Sequence, residues 1–427
     1  MENKKLFDFI AACPTAYHTV HTVCEALAAA GYTPLAESAP FSLVPGRGYF
    51  VTRGTSSVIA FRAPADFRGF VIAAAHGDSP APKIKENAEL RDASYTKLSV
   101  EPYGGMIFTS WFDRPLSVAG RAVVRTAGGI ESRLVDLREP FAVIPNVAIH
   151  MNRAVNNGTK LDAAVDLLPL CGGADAAPLR ARVAETLGVA AEDILTADLF
   201  VYNPQPGVEW NGFISAPRLD DLQCVYAALC GFLDADGDAD GTAARVLAVF
   251  DNEEVGSQTR QGAASTFLYD VLRRVSAAYG ADFDAAVAGS LMLSCDNAHA
   301  VHPNHPEYAD KNHTVRMNGG VVLKYNANQR YTTDAWSAAL FRMICARAGV
   351  PVQLYANRAD MPGGSTLGNI ANTQVSLPTV DIGAAQLAMH SAYETAGAAD
   401  TDCLYRAIRS AFEARITVTA DGVAAVE

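Results

Sequence analysis

The sequence predicts an α/β fold: an open sheet covered by helices, interrupted by an inserted β-rich unit. Three observations carry this expectation. Apolar runs at 69–75, 246–250 and 287–296 read as buried strands. Each delivers a histidine or an acid at or just past its carboxyl end, where open α/β sheets bind ligands. Between about residues 86 and 212 the chain becomes rich in β-branched and aromatic residues with frequent turns, as in EPYGGMIFTSWFDRPLSVAGRAVVRTAGGIESRLVDL. The expected units are a discontinuous α/β domain, 1–85 and 214–427, and an inserted unit, 86–213.

Composition narrows the function classes. The 427 residues suffice for two or three domains, and 50% hydrophobic with 19% charged residues is ordinary for a globular protein. A formal net charge of -12 without a basic run disfavours nucleic-acid binding. The eight cysteines form no C-x-x-C pair, which suggests reduced thiols and a cytoplasmic protein. The first residues hold too short an apolar run for a signal peptide, and no stretch has the length of a membrane span. The one low-complexity tract, DADGDADG at 234–241, reads as a loop.

Taken in order, 6–10 and 16–30 read as helices. Tyr17, Val20, Cys24, Leu27 and Ala28 fall at helical spacing, and Gly31 ends the pattern. His18 and His21 are most simply packing or surface histidines. Strands at 58–62 and 69–75 follow, the second leading into His76, Gly77 and Asp78. Asp78 can accept a hydrogen bond from the second nitrogen of His76, the usual support of a metal-bound imidazole. In the inserted unit 98–143 reads as antiparallel strands, and 161–170 and 178–187 as helices. His150 follows a strand-like run, and a structural role is its simplest reading. Asp220 and Asp221 open a helix, where acids suit the dipole.

The 246–250 strand then breaks into Asp251, Asn252, Glu253 and Glu254, with Gly256 allowing a sharp turn. Asp296 ends the third strand. His299, His302 and His305 follow in a loop whose prolines argue against helical ligand spacing, so one of them is expected to support the site or touch substrate. The strand at 321–325 carries Lys324. A helix at 335–348, a strand at 352–355 and a glycine-rich turn at 360–370 come next. That turn lacks the Lys-Ser/Thr ending of a nucleotide-binding loop. A strand at 377–382 leads to His390, expected at the start of the closing helix.

Two histidines, His76 and His390, and three acids, Asp220, Glu254 and Asp296, thus come to strand ends or helix starts. Mixed imidazole and carboxylate ligands suit zinc, with manganese or cobalt as alternatives. Five ligands exceed one tetrahedral ion but fit two divalent ions if one carboxylate bridges. Adjacent side chains diverge, so Glu254 can bind metal while Glu253 acts as general base. The expected chemistry is metal-assisted hydrolysis, most naturally of an amide.

AAAHGDSP, APRLDDLQC, VFDNEEVGS, SCDNAHAVHPN, LKYNANQRYTT and LAMHSAYE, in this order, resemble the aspartyl aminopeptidase family of dinuclear zinc exopeptidases. CPTAYHTV and WFDRPLSVAGR fit as well, so the resemblance spans nearly the whole chain. It implies a mixed-sheet α/β/α catalytic domain with an inserted lid and dimerisation domain. His76, Asp220 and Asp296 would hold one zinc, and Asp220, Glu254 and His390 the other, with Asp220 bridging. Glu253 matches the general base and Asp78 the carboxylate behind His76. Substrate contacts would fall on His150, His299, Lys324 and Tyr331, with His150 reaching a neighbouring subunit's site to stabilise an oxyanion. Lys324 would pair with an acidic N-terminal side chain. The resemblance also implies dimers assembling into a tetrahedral dodecamer that admits peptides with a free N-terminus, without a nucleic-acid or membrane partner. Two rival readings stay in view: a dinuclear dipeptidase or N-deacylase, and a non-catalytic metal-binding assembly protein.

Overall fold

The computed structural model describes residues 1–235 and 243–427, so most of the DADGDADG tract lies outside the described residues. A nine-stranded mixed sheet forms the centre. Its order is Thr33–Leu35, Gly48–Arg53, Ser57–Arg62, Ala243–Phe250, Gly69–His76, Leu291–Cys295, Thr379–Gly383, Val321–Tyr325 and Val352–Ala356. The four strands from Ala243–Phe250 to Thr379–Gly383 run parallel, and their outer neighbours pair antiparallel to them.

Alternation along these strands builds the layers. Val71, Ala73 and Ala75 face one core with Leu247 and Val249, packed under the helices Ala16–Ala29, Leu219–Asp234, Ala335–Ala348 and Asp400–Glu413. Phe70, Ile72 and Ala74 face the other with Val246 and Ala248, under Phe267–Tyr279. Both faces of the central strands are therefore buried, which is why they read as unbroken apolar runs. The result is the expected mixed α/β architecture.

Three smaller sheets accompany it, the least of them the two-stranded Ile416–Ala420 with Val423–Val426. Six antiparallel strands, in the order Gly129–Asp136, Ser117–Thr126, Ile194–Tyr202, Ala81–Arg91, Tyr95–Tyr103 and Leu170–Gly173, enclose a separate apolar core around Leu98, Val118 and Val201. A five-stranded sheet joins Val208–Trp210, Phe213–Ala216, Glu394–Gly397, Ala385–Leu387 and Ala298–His299.

Three local expectations fail. Residues 161–170 form turns rather than a helix. The Asp162 carboxylate caps the backbone of Ala164, and the Pro169 carbonyl accepts from Leu98 of the neighbouring strand. Residues 287 and 288 belong to the helix Phe283–Ala288, and the strand begins only at Leu291. His390 does not start a helix: it lies in a turn between Ala385–Leu387 and Glu394–Gly397, in left-handed backbone at φ 68°. The closing helix, Asp400–Glu413, begins ten residues later.

Candidate metal centre

Register places the first groups. Phe250 pairs with His76, and Ser294 pairs with Ala74 on the other side. The residues that follow Phe250 and Cys295 therefore emerge at the level of His76, at the carboxyl edge of the parallel strands. Glu253 and Glu254 occupy a short 3-10 turn between left-handed Asn252 and Gly256. Asp220 comes from the start of Leu219–Asp234, where the helix is interrupted at Asp220 and Asp221 and their peptide bond is cis.

The side chains converge. Nε2 of His76 lies 3.5 Å from Oδ1 of Asp220, and Nε2 of His390 lies 3.5 Å from Oδ2 of the same carboxylate. Each oxygen of Asp220 thus faces a different histidine. His390 Nε2 is also 3.3 Å from Oε2 of Glu254. Three ligand-like groups result: His76 with Asp220, Asp221 and Asp296; His76 with Glu253 and Glu254; and Asp220 with Glu254 and His390.

Charge is unbalanced here. Burial works against a charged His76, yet Asp220 and Asp78 hold its pKa well above the usual imidazole range. Burial likewise opposes a charged His390, but Asp220 and Glu254 push it up to about 10. Burial raises Asp221, Glu254 and Asp296, each with neighbouring acids adding to the shift. Glu253 is pushed up to about 8 by burial, although part of its side chain stays open to solvent. Asp220 is the exception: the two histidines overcome its burial and hold it below the usual carboxylate range. Buried Asp220 Oδ1, Asp221 Oδ1 and Glu254 Oε1 accept no hydrogen bond. Buried polar atoms are normally satisfied, so orphaned carboxylate oxygens on residues clustered with two histidines fit a cation. The donor set, imidazole plus carboxylate, suits zinc.

Asp78 braces this arrangement. Its Oδ1 accepts from the backbone of Glu253 and its Oδ2 from that of Glu254, both at 3.2 Å, and Oδ2 also accepts from the Tyr103 hydroxyl at 2.7 Å. Nδ1 of His76 lies 3.1 Å from the Asp78 carbonyl oxygen and 3.4 Å from its carboxylate. Lys324 is buried: Nζ donates to the carbonyls of Asp296 at 2.7 Å and Asn297 at 3.2 Å, and lies 3.6 Å from Asp296 Oδ2. The Tyr331 ring sits 5.2 Å from that ammonium, and Tyr355 links Tyr331 to His299. His299 keeps solvent-exposed surface, and partial desolvation followed by the charge of Lys324 lowers its pKa. His150 is not brought to the cluster. It lies on an exposed turn, and among the described residues its side chain makes no hydrogen bond or ion pair. His302 and His305 lie ring against ring at a 39° tilt on the surface, and neither belongs to the ligand-like groups.

Sequence reading missed Asp221, Glu394 and Tyr355. The Asp-Asp pair was a visible signal for the first. Glu394 closes the LAMHSAYE motif four residues past His390, which was a signal for the second, whereas nothing local distinguishes Tyr355 from an ordinary strand residue.

The profile of the family described as Aminopeptidase I zinc metalloprotease (M18) matches residues 9–412. The chain belongs to the M18 family of zinc aminopeptidases. It is 43% identical over 414 residues to a probable M18 family aminopeptidase 2 of Clostridium acetobutylicum, covering 93% of this chain and 95% of that protein. Among solved structures, it superposes on a chain of an Ape4 and Nbr1 complex with a TM-score of 0.91 at 31% identity, covering 96% and 85% of the two chains. An S. cerevisiae mApe1 dodecamer gives a TM-score of 0.84 at 28% identity, with 96% of each chain covered. This M18 aminopeptidase is therefore a peptide hydrolase, and its clustered histidines and acids are able to hold metal.

Proposed function

We propose that this aminopeptidase removes N-terminal residues, preferably Asp or Glu, using two divalent ions, most naturally zinc. His76, Asp220 and Asp296 would hold one ion, and Asp220, Glu254 and His390 the other. The observation that carries this reading is Asp220, whose two oxygens each face a different histidine. Zinc bound there supplies Lewis acidity, lowering the pKa of a coordinated water and polarising the scissile carbonyl.

The chain's own groups do the rest. The Glu253 carboxylate accepts no hydrogen bond among the described residues; with cations bound beside it, their charge would oppose the burial that raises its pKa, and it would take a proton from the attacking water and pass it to the leaving amine. Asp78 aims the Glu253–Glu254 turn through two backbone hydrogen bonds. Lys324 commits two of its N–H groups to carbonyls and faces Asp296 Oδ2 at 3.6 Å; on this reading its ammonium is also the charge that a substrate carboxylate would meet. Tyr331, Tyr355 and His299, whose rings contact in series beside Lys324, would contact the substrate side chain on this reading.

The 86–213 unit, on this reading, is a lid and dimerisation domain, and dimers assemble further, as far as a tetrahedral dodecamer. Exposed Val147, Ile149 and Met151 beside His150 support an interface there. His150 would complete a neighbour's site. Free cysteines throughout favour a reducing, cytoplasmic setting, and no helix of the described residues is long and apolar enough to cross a membrane.

Glu253→Gln is the direct test. Turnover of Asp- and Glu-anilides should fall at least 10²-fold while zinc content stays unchanged. A loss smaller than tenfold removes Glu253 from the base role. A panel that adds Leu- and Lys-anilides, dipeptides and N-acylated amino acids separates this reading from a dipeptidase or N-deacylase.

A further inference from the structure

Glu394 opens the strand Glu394–Gly397, four residues beyond His390. That strand pairs with Phe213–Ala216 so that Glu394 sits opposite Ala216, four residues before Asp220. The register brings the two ligand-bearing turns to one carboxylate. Glu394 Oε2 accepts from the backbone N–H of Asp220 at 3.0 Å. Its Oε1 accepts from the backbone N–H of His390 at 2.7 Å, with the Gln386 amide at 3.5 Å. The side chain is only 2% exposed, and no Lys or Arg pairs with it among the described residues.

A buried carboxylate is costly unless its acceptors are used. Here each oxygen receives a peptide N–H from a different turn, and hydrogen bonds to an anion are the stronger kind. Both turns need an external hold. His390 at φ 68° and Arg218 at φ 57° occupy left-handed backbone that residues with a Cβ disfavour.

We propose that Glu394 is a positioning residue that fixes Asp220 and His390 relative to each other and so sets the affinity of the cation site formed by Asp220, Glu254 and His390. It touches neither substrate nor the reacting atoms. The proposal rests on the two-metal reading above.

The test uses full-length protein stripped of metal and titrated with zinc against a competing chelator dye. Wild type should take up two zinc ions per chain. Glu394→Gln keeps the shape but turns an –NH₂ toward one peptide N–H, so one turn loses its acceptor. The affinity of the site that contains both Asp220 and His390 should then fall about 10- to 100-fold, and that of the site that shares only Asp220 by a smaller factor. Glu394→Asp keeps the charge but is too short to reach both turns, and it should weaken the same site by an intermediate factor. If Glu394→Gln does not fold, Glu394→Asp decides by the same criterion. Unchanged binding, or an equal loss at both sites with a lower melting temperature, overturns the positioning role. Wild type that binds fewer than two ions overturns the two-metal reading itself, and the proposal with it.

Discussion

Single side chains set both pH behaviour and specificity. His18 is buried, with Nδ1 2.9 Å from the Thr15 hydroxyl, and burial lowers its pKa to about 4. The unfolded chain binds that proton near pH 6.5, the folded chain only near 4, so the stabilising contribution is complete above about pH 6.5 and is lost as pH falls through 4. The loss amounts to about 3 kcal/mol. Urea midpoints measured from pH 7 to 4 should show it, and His18→Gln should flatten that part of the profile; an equally steep profile in the variant assigns the acid loss elsewhere. Lys324 is a second case. Lys324→Ala should lower kcat/KM for Asp-anilides at least tenfold relative to Leu-anilides. Because its ammonium also satisfies the Asp296 and Asn297 carbonyls, the same change should cost about 1–3 kcal/mol for each buried acceptor left unpaired. An unchanged Asp-to-Leu ratio would remove Lys324 from specificity and leave it a structural cation. The burial of Lys324 was not legible in the sequence, because its partners are main-chain oxygens twenty-eight and twenty-seven positions away.

At the scale of elements, legibility follows how local the determinants are. The helix Ala335–Ala348 was read to its terminal residues, since spacing and both ends are written locally. Asp334 accepts from Ser337 N at 2.7 Å and its own N–H donates to the Ser337 hydroxyl, while left-handed Gly349 closes the other end. Asp334→Ala should lower stability by about 1 kcal/mol, read as a shifted denaturant midpoint with an unchanged slope. No shift would mean that packing of Phe341 and Ile344 alone fixes this helix. The buried parallel strands were equally readable, because two apolar faces leave continuous apolar runs. Residues 161–170 were not: Leu167 is apolar and buried, but a side-chain cap at Asp162 and Pro169 turn the segment toward the Tyr95–Tyr103 strand. His390 failed for a related reason. Its turn is held by Glu394 and by pairing with the distant Phe213–Ala216 strand, neither of which leaves a local periodic trace.

For the whole molecule, the open question is whether one chain holds a complete site. The ligand-like residues all meet within one chain, but His150 does not join them. It lies on a turn flanked by Met151, 83% exposed, and by exposed Val147 and Ile149. Apolar side chains grouped on one loop favour contact with another surface, and a two-fold interface would place each copy of the loop on its partner. On that arrangement two inactive variants complement each other. His150→Ala retains Glu253 but lacks the group it lends, whereas Glu253→Gln retains His150 but cannot use it. In a hetero-dimer, the site with intact Glu253 receives an intact His150 from the other subunit. Random mixing after dissociation makes half of the dimers mixed, each with one working site of two, so activity should return to about a quarter of wild type. Either variant alone should stay near background. If mixing restores nothing while size-exclusion profiles show that subunits have exchanged, His150 does not act across an interface. If His150→Ala alone is fully active, it takes no part in turnover.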